Sequence, residues 1–293
     1  MRTIKAKSIL QKAGGNSDFW FGIDYNINLY KGCPHGCIYC DSRSECYGID
    51  HFDEVRIKEN EIAILNKELQ SKKKKGVVGI GAMSDTYNPF EKELEITRQA
   101  LKLLQFYHFG VSIDTKSDLV VRDIDILKQM KNVIVKLTVT TADDELSKKI
   151  EPHVCVSSKR FKAMKALSDE GIFTGILFTP ILPFITDQED NIKAVVRLSH
   201  EHGAKFIYSM FGVTLRTNQR NYYYQQLDRL FPMLKEKYQE SFGNRYMCEI
   251  QNYPHLKQVF INECQKYGLL YKMEDIIAAY KLENEHIQLT FDL

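Results

Sequence analysis

The feature that most restricts the fold of this 293-residue chain is a regular alternation of short β-branched runs with amphipathic runs. Such alternation predicts βα units whose strands lie parallel in one sheet. The predicted strands cover residues 25–30, 77–83, 111–115, 133–140, 172–179 and 205–209. The predicted helices cover residues 60–74, 93–106, 124–130, 159–170, 189–201, 222–230, 254–267 and 273–280. The sequence therefore predicts an α/β fold of six βα units, followed by a mostly helical C-terminal extension.

Charge and hydropathy exclude some functional classes. The formal net charge of +2 gives the whole molecule no strong attraction to nucleic acid or to a membrane surface. The longest apolar stretch, residues 172–185, contains two prolines and is too short to span a bilayer. The N-terminal residues lack the apolar core of a signal peptide. We therefore expect a cytoplasmic, monomeric protein with no membrane partner.

Three cysteines follow the first predicted strand with the spacing C-x3-C-x2-C: Cys33, Cys37 and Cys40. A cubic [4Fe–4S] cluster takes four ligands, so three cysteines leave one iron open to a small molecule. Zinc sites prefer paired Cys-x2-Cys or Cys/His motifs, and no second pair follows here. Cys46 could instead add a fourth thiolate, which would make a closed structural or electron-transfer centre. His35 lies inside the loop and is expected to face solvent.

This loop, with Tyr39 just before the last cysteine, resembles the cluster loop of the radical S-adenosylmethionine (SAM) superfamily. The resemblance implies a partial (β/α)6 TIM-type barrel, which agrees with the count of six βα units. It also implies a [4Fe–4S] cluster on Cys33, Cys37 and Cys40, with SAM bound at the open iron near Tyr39. The implied activity is that of a radical SAM enzyme, which reductively cleaves SAM to a 5′-deoxyadenosyl radical. Such an enzyme needs a one-electron reductant of the flavodoxin or ferredoxin type.

Polar residues stand at the ends of three predicted strands, where the chemistry of parallel barrels collects. Ser84 and Asp85 follow the second strand, and either could accept a hydrogen bond from the SAM amino group. Asp85 also fits a structural role as a cap before the next helix. Lys116 follows the third strand, and its compact charge suits the SAM carboxylate. Thr138 and Thr140 alternate on one face of the fourth strand, so they could contact the ribose or methionine part of SAM.

A longer pattern resembles one branch of this superfamily, the spore photoproduct lyase-like proteins, over about residues 20 to 215. Its parts occur in one order: Ser84-Asp85, Thr115-Lys116, Glu151-Pro152 followed by Ser158 and Arg160, and Thr179-Pro180. The resemblance makes DNA a possible substrate by analogy only. We divide the chain into an N-terminal arm (1–22), a radical SAM core (23–212) and a C-terminal helical extension (213–293).

Two positions depart from the lyase pattern. The lyase has a cysteine, its hydrogen donor, two residues before the Ser-Asp pair, and this chain has Ala82 there. The lyase has a tyrosine directly after the third cluster cysteine, and this chain has Asp41. Cys46 and Tyr87 are weak candidates for a replacement donor, because both are close in sequence to the predicted site. The substrate and the catalytic residues beyond SAM cleavage are therefore not identified by the sequence.

Overall fold

The computed structural model describes residues 2–14 and 20–281. The strands within these ranges are β1 (Arg2–Ile4), β2 (Leu10–Lys12), β3 (Tyr25–Ile27), β4 (Tyr30–Lys31), β5 (Arg56–Lys58), β6 (Val77–Ile80), β7 (Gly110–Thr115), β8 (Val133–Thr138), β9 (Thr174–Phe178), β10 (Phe206–Ser209), β11 (Gly212–Thr214) and β12 (Met247–Glu249). The α-helices are α1 (Glu61–Ser71), α2 (Glu91–Leu94), α3 (Ile96–Phe106), α4 (Ile124–Leu127), α5 (Asp144–Ile150), α6 (Ser157–Asp169), α7 (Glu189–Glu201), α8 (Thr217–Leu230), α9 (Leu234–Phe242), α10 (Tyr253–Lys266) and α11 (Met273–Tyr280). None of these helices could cross a membrane, because none is both long and apolar enough.

The central sheet has seven strands in the order β10-β9-β8-β7-β6-β3-β2. Six of them are parallel neighbours in chain order, and β2 pairs antiparallel with β3 at one edge. Strands β6 to β9 are buried throughout apart from Asp114, because helices cover the outer face and the lumen side chains pack together. The sheet does not close on itself. The predicted α/β fold with six parallel strands in a partial barrel is confirmed.

The C-terminal helix α11 packs where the first and last parallel strands fail to pair. The Tyr280 hydroxyl donates a hydrogen bond to the Phe21 carbonyl at 2.5 Å. Phe21 also lies 5.8 Å, centroid to centroid, from both Phe206 and Tyr208 of β10. Ile276 of α11 is buried in the same cluster. The extension therefore covers the open side of the sheet with aromatic and apolar side chains.

Two predicted strands are shorter or divided for identifiable reasons. The predicted strand over 25–30 is two strands, because the chain leaves the central sheet after Ile27 and pairs as β4 with β5. The predicted strand over 77–83 ends at Ile80, since Gly81 has a φ of +98° and lies against the Asp114 carbonyl. A side chain at Gly81 would collide with that oxygen. Both interruptions turn the chain toward the C-terminal end of the barrel.

Several helices also differ from the prediction. The helix predicted over 93–106 is divided into α2 and α3 by Glu95, whose φ is +51°. The helix predicted over 222–230 begins earlier, at Thr217, and helices α5 and α9 were not predicted. The division into an arm (1–22), a core (23–212) and an extension (213–293) stays a prediction, and its ends include residues outside the described ranges.

A small second sheet holds the cysteine loop, which connects β4 to β5. Strand β5 pairs antiparallel with β4 and parallel with β1. Gly32, between β4 and the first cysteine, has a φ of +87° and would bring a side chain to 2.4 Å from the Glu54 carbonyl. The Cys33 amide then donates to the Phe52 carbonyl at 2.8 Å. The two ends of the loop are therefore fixed close together.

Glu61, at the start of α1, gives a pH-dependent prediction. Burial raises the pKa of Glu61 to about 7, with Glu91 adding to the rise and Lys58 opposing it. The folded state therefore binds a proton more tightly than the unfolded state, and Glu61 lowers stability as the pH rises from about 4.5 to 7. We expect Glu61→Gln to stabilise the protein by about 1–2 kcal/mol at pH 8 and to have little effect near pH 4.5. Urea unfolding at both pH values measures this.

The exposed neighbour Glu59 is the matched control, because it lies on the same turn in solvent. Glu59→Gln should leave the free energy of unfolding almost unchanged at both pH values. An equal stabilisation by Glu61→Gln at both pH values would contradict the assignment to a buried ionised carboxylate.

Candidate cluster and cofactor site

One cavity of about 260 Å³ opens at the C-terminal end of the parallel strands. The three loop cysteines contribute to its wall, together with residues that follow three different strands. These lining residues include Cys33, Cys37, Cys40, Ser84, Asp85, Lys116 and Thr138. The strand ends thus bring together residues up to 105 positions apart in sequence, from Cys33 to Thr138. The predicted meeting of the cysteine loop with the strand ends is what the structure contains.

The three thiols lie in surroundings that disfavour free thiolates. Burial raises the pKa of Cys33 to about 12 and raises the pKa of Cys37 and Cys40 above the usual thiol value. Such thiols ionise when a cation binds them, since the metal replaces the proton. No three His, Cys, Asp or Glu side chains in residues 2–14 and 20–281 converge closely enough for a single metal ion. Thiols spread around one cavity suit a multi-iron cluster better than a tetrahedral zinc ion.

A buried ion pair fixes the cysteine loop against the barrel. The Tyr39 hydroxyl donates a hydrogen bond to Glu151, which also pairs with Arg160 at 2.5 Å. Glu151 and Arg160 are both 0% exposed. Arg160 further donates to the backbone carbonyls of Cys155 and Thr138, at 2.8 and 2.9 Å. The charges of this pair are therefore satisfied by each other and by the backbone, and they hold Tyr39 in place.

Asp85 is already saturated by the protein. One carboxylate oxygen accepts from the Tyr87 amide at 2.9 Å and from the Thr115 hydroxyl at 2.7 Å. The other accepts from the Lys116 amide at 2.7 Å and lies 3.5 Å from Nδ1 of His35. Asp85 thus ties the end of β6 to the end of β7 and to the cysteine loop. Its alternative prediction as a cap is also realised by the bond from Tyr87.

Ser84 differs from Asp85 in having a hydroxyl that lacks a partner. Its Oγ is buried and makes no hydrogen bond with any described residue, yet Ser84 lines the cavity. A buried polar atom without a partner costs free energy, so it marks a place where a ligand can bind. Of the two residues predicted after β6, Ser84 is the one with free hydrogen-bonding capacity.

Lys116 and Thr138 line the cavity, whereas Thr140 does not. The Lys116 ammonium lies 5.7 Å from the centre of the Tyr39 ring. Burial alone would lower the pKa of Lys116, but the nearby Cys37 and Glu151 raise it above the usual value. Thr140 is fully buried beyond the end of β8, and its Oγ1 has no described partner. The structure therefore brings Lys116 and Thr138 to the site and leaves Thr140 outside it.

Comparison with known proteins decides the family. The model of the radical SAM superfamily matches residues 27–198, which is more than half of the chain and includes all three cysteines. This chain belongs to the radical SAM superfamily. The resemblance stated from the cysteine loop is confirmed.

Related radical SAM sequences and structures agree with this assignment. The chain is 37% identical over 171 residues to an uncharacterized protein of Methanocaldococcus jannaschii, and covers 57% of this chain and 64% of that one. It is 25% identical over 293 residues to an uncharacterized protein of Mycobacterium tuberculosis, covering 97% and 82% of the two chains. The chain thus spans somewhat less than two thirds of the Methanocaldococcus relative.

The fold is similar to that of spore photoproduct lyase. The lyase in complex with dinucleoside spore photoproduct superposes with a TM-score of 0.67 at 13% identity, covering 92% of this chain and 81% of the lyase. The lyase with bound AdoMet and the same dinucleoside, a double mutant, gives a TM-score of 0.63 at 14% identity, covering 85% and 76%. At this identity the likeness establishes the fold.

Other predicted residues lie away from the cavity. The expectation that His35 faces solvent is wrong: it is 3% exposed, because the loop folds back onto Asp85 and His153 donates its amide to the His35 carbonyl. Cys46 is exposed on a short 3-10 turn and lines a different surface pocket. Tyr87 is 1% exposed and donates its hydroxyl to Asp123 at 3.1 Å. Neither weak candidate for a hydrogen donor lies at the radical SAM cavity.

Some cavity residues were not predicted. Trp20 and Asp114 both line it. Asp114 pairs at 2.6 Å with Lys136, a lumen lysine that is 1% exposed and also donates to Ser112. The alternation of Ser112, Asp114 and Lys116 along β7 was a usable signal, because period two places them on one face. Trp20 carried no local pattern that points to the site.

Proposed function

We propose that this protein is a radical SAM enzyme that binds a [4Fe–4S] cluster through Cys33, Cys37 and Cys40 and cleaves SAM. The observation that carries the proposal is one cavity lined by three thiols, the partnerless Ser84 hydroxyl and the Lys116 ammonium. Cys46 lies outside this cavity, which favours a three-cysteine cluster over a closed four-thiolate centre. When bound and reduced, the cluster would supply the electron that splits SAM and yields a 5′-deoxyadenosyl radical for hydrogen abstraction.

The residues of the chain have separate roles in this proposal. Ser84 Oγ accepts a hydrogen bond from the SAM amino group, and Lys116 neutralises the SAM carboxylate. Thr138 donates to the ribose or methionine part, and Tyr39 forms the apolar wall beside the cysteines. Asp85 positions the loops that carry these groups and makes no contact with SAM, because its oxygens are occupied. Radical SAM enzymes need a one-electron reductant, for which a flavodoxin or ferredoxin is proposed here.

Anaerobic reconstitution tests the function directly. The protein should bind about four irons per chain. With dithionite and SAM it should form methionine and 5′-deoxyadenosine, detected by chromatography and mass spectrometry. Addition of SAM should also change the electron paramagnetic resonance spectrum of the reduced cluster. A cluster whose spectrum ignores SAM, with no 5′-deoxyadenosine formed, would contradict the proposal.

Replacement of Ser84 by alanine tests the proposed SAM contact. The variant removes one hydrogen bond to the amino group, which is worth about 1–1.5 kcal/mol. We expect SAM to bind about tenfold more weakly to the cluster-loaded variant, measured by equilibrium dialysis. Thr140→Val is the control, because Thr140 also has a buried partnerless hydroxyl but lies outside the cavity. Equal weakening by both changes would contradict a direct contact of Ser84.

The substrate is proposed only as a class. Nucleic acid is favoured by the likeness to spore photoproduct lyase, which is an argument from analogy. The repair reaction itself is not expected, because Ala82 lines the cavity where the lyase pattern has a cysteine. An alanine methyl has no weakly bound hydrogen to return to a product radical.

We therefore expect SAM cleavage without formation of the thymine dinucleotide from dinucleoside spore photoproduct. The products are measured by chromatography after incubation with SAM and dithionite. Spore photoproduct lyase assayed in parallel is the positive control. Repair at the rate of that control would contradict the prediction and would direct attention to Cys46, the remaining thiol on the cysteine loop.

A further inference from the structure

A second groove lies on the other side of the cysteine loop. His35 contributes to the wall of both the cofactor cavity and this groove. Its other walls come from the segments that follow β6, β7 and β8, including Pro89, Ser117 and Pro152. The two spaces are thus separated at this point by a side chain that belongs to the loop carrying the cluster cysteines. The groove offers a route to the cluster that does not pass through the cofactor cavity.

The cations of this groove are free. Lys92 and Lys159 line it, are exposed, and form no ion pair or hydrogen bond with the rest of the described chain. His153 lines it too, with an exposed side chain. Arg122 is the exception, because Glu91 and Asp123 already neutralise it. One exposed carboxylate, Asp118, opposes the free cations. The balance favours an acidic partner.

Exposed apolar groups accompany these cations. Pro89 and Pro152 line the groove with exposed rings. Phe90, next to Pro89, is 43% exposed and is among the large apolar residues left in solvent by the described chain. A patch that combines apolar side chains with unpaired cations resembles a protein-binding surface. Nucleic acid would more typically be met by aromatic side chains placed along a continuous basic track.

We propose that this groove docks a small acidic one-electron carrier protein of the flavodoxin or ferredoxin type. The inference rests on the proposed function, since it names the partner that reduces the cluster. One electron leaves the carrier, which is oxidised, and enters the cluster, which is reduced; no atom is transferred. Docking behind the cysteine loop lets reduction take place while the cofactor cavity is filled by SAM and substrate. Lys92 and Lys159 supply the attraction, and Pro89, Phe90 and Pro152 supply the apolar contact.

The double variant Lys92→Glu/Lys159→Glu tests the proposal with a recombinant flavodoxin as the probe. Binding is measured by calorimetry on the oxidised cluster-loaded protein at low ionic strength, so no turnover is needed. We expect about tenfold weaker binding to the double variant, and weaker binding to the unaltered protein as salt is added. The control is Lys102→Glu, an exposed lysine without a described partner on α3, outside the groove. It should change binding less than about twofold.

Reduction kinetics give a second readout. Reduction of the cluster by flavodoxin should slow in the double variant, whereas reduction by dithionite should proceed at the unaltered rate. Unchanged flavodoxin binding in the double variant, or equal weakening by Lys102→Glu, would overturn the docking site. Loss of oligonucleotide binding in the double variant with flavodoxin binding intact would also overturn it. Failure of docking leaves dithionite-driven SAM cleavage intact, whereas failure of the proposed function abolishes that cleavage in the unaltered protein.

Discussion

Replacement of Cys37 by alanine is expected to abolish both iron binding and SAM cleavage. Cys37 is buried, lines the cavity and lies between the other two cysteines in the loop. With two thiols remaining, the loop cannot hold a cubic cluster that needs three protein ligands and one open iron. After anaerobic reconstitution, the iron content should fall from about four per chain to near zero, and 5′-deoxyadenosine should be undetectable.

Cys46→Ala is the matched control for this change. It removes a thiol from the same loop, but Cys46 is exposed and faces another pocket. The variant should keep its irons and cleave SAM at the rate of the unaltered protein. Loss of the cluster in Cys46→Ala would contradict the three-cysteine site and support a closed centre instead. Unimpaired SAM cleavage by Cys37→Ala would contradict the proposed function.

Replacement of Arg160 by methionine is expected to give the largest loss of stability. Arg160 is the partner of the fully buried Glu151, so the variant leaves a carboxylate charge uncompensated in the interior. Removing one partner of a buried pair typically costs about 3–5 kcal/mol. Urea unfolding of the metal-free protein measures this cost without interference from the cluster. Tyr39 would also lose its fixed acceptor, so reconstitution of the cluster should become less efficient.

Two further variants interpret that result. Lys165→Met removes a cation from an exposed pair with Asp169 on the same helix, and should cost less than about 1 kcal/mol. The double variant Glu151→Leu/Arg160→Met removes both buried charges, so it should recover part of the stability lost in Arg160→Met. No recovery in the double variant would show that the hydrogen bonds of the pair, rather than its unpaired charge, dominate the effect.

The sequence predicted the central sheet because its signals are local. The runs that became β7, β8 and β9 are continuous and β-branched, and buried parallel strands require such runs. The helices around them show one apolar face each. The breaks at Gly81 and Glu95 were not predicted, because each depends on a backbone turn that the surrounding residues impose. Strands β1, β4 and β5 were also missed, since three residues carry too little pattern.

The site could be predicted in its parts but not in its division of labour. The three cysteines are adjacent in sequence and carry a specific spacing, so their role was readable. The difference between Ser84 and Asp85 depends on Thr115 and Lys116, which saturate one residue and leave the other free. Likewise, Glu151 and Arg160 were recognised as a pattern, and only the fold shows that they anchor Tyr39. Contacts between distant segments decide these roles.

The bond between Tyr280 and Phe21 joins residues that are 259 positions apart, and it bears on how the chain assembles. Contacts of such long range form late, because the chain between them must be ordered first. Until α11 arrives, the aromatic cluster of Phe21 and Phe206 lies open at the edge of the sheet. During synthesis this edge is completed only when the last described helix has emerged from the ribosome. The nascent chain therefore carries its main aggregation hazard at the seam of the barrel, far from the cluster loop.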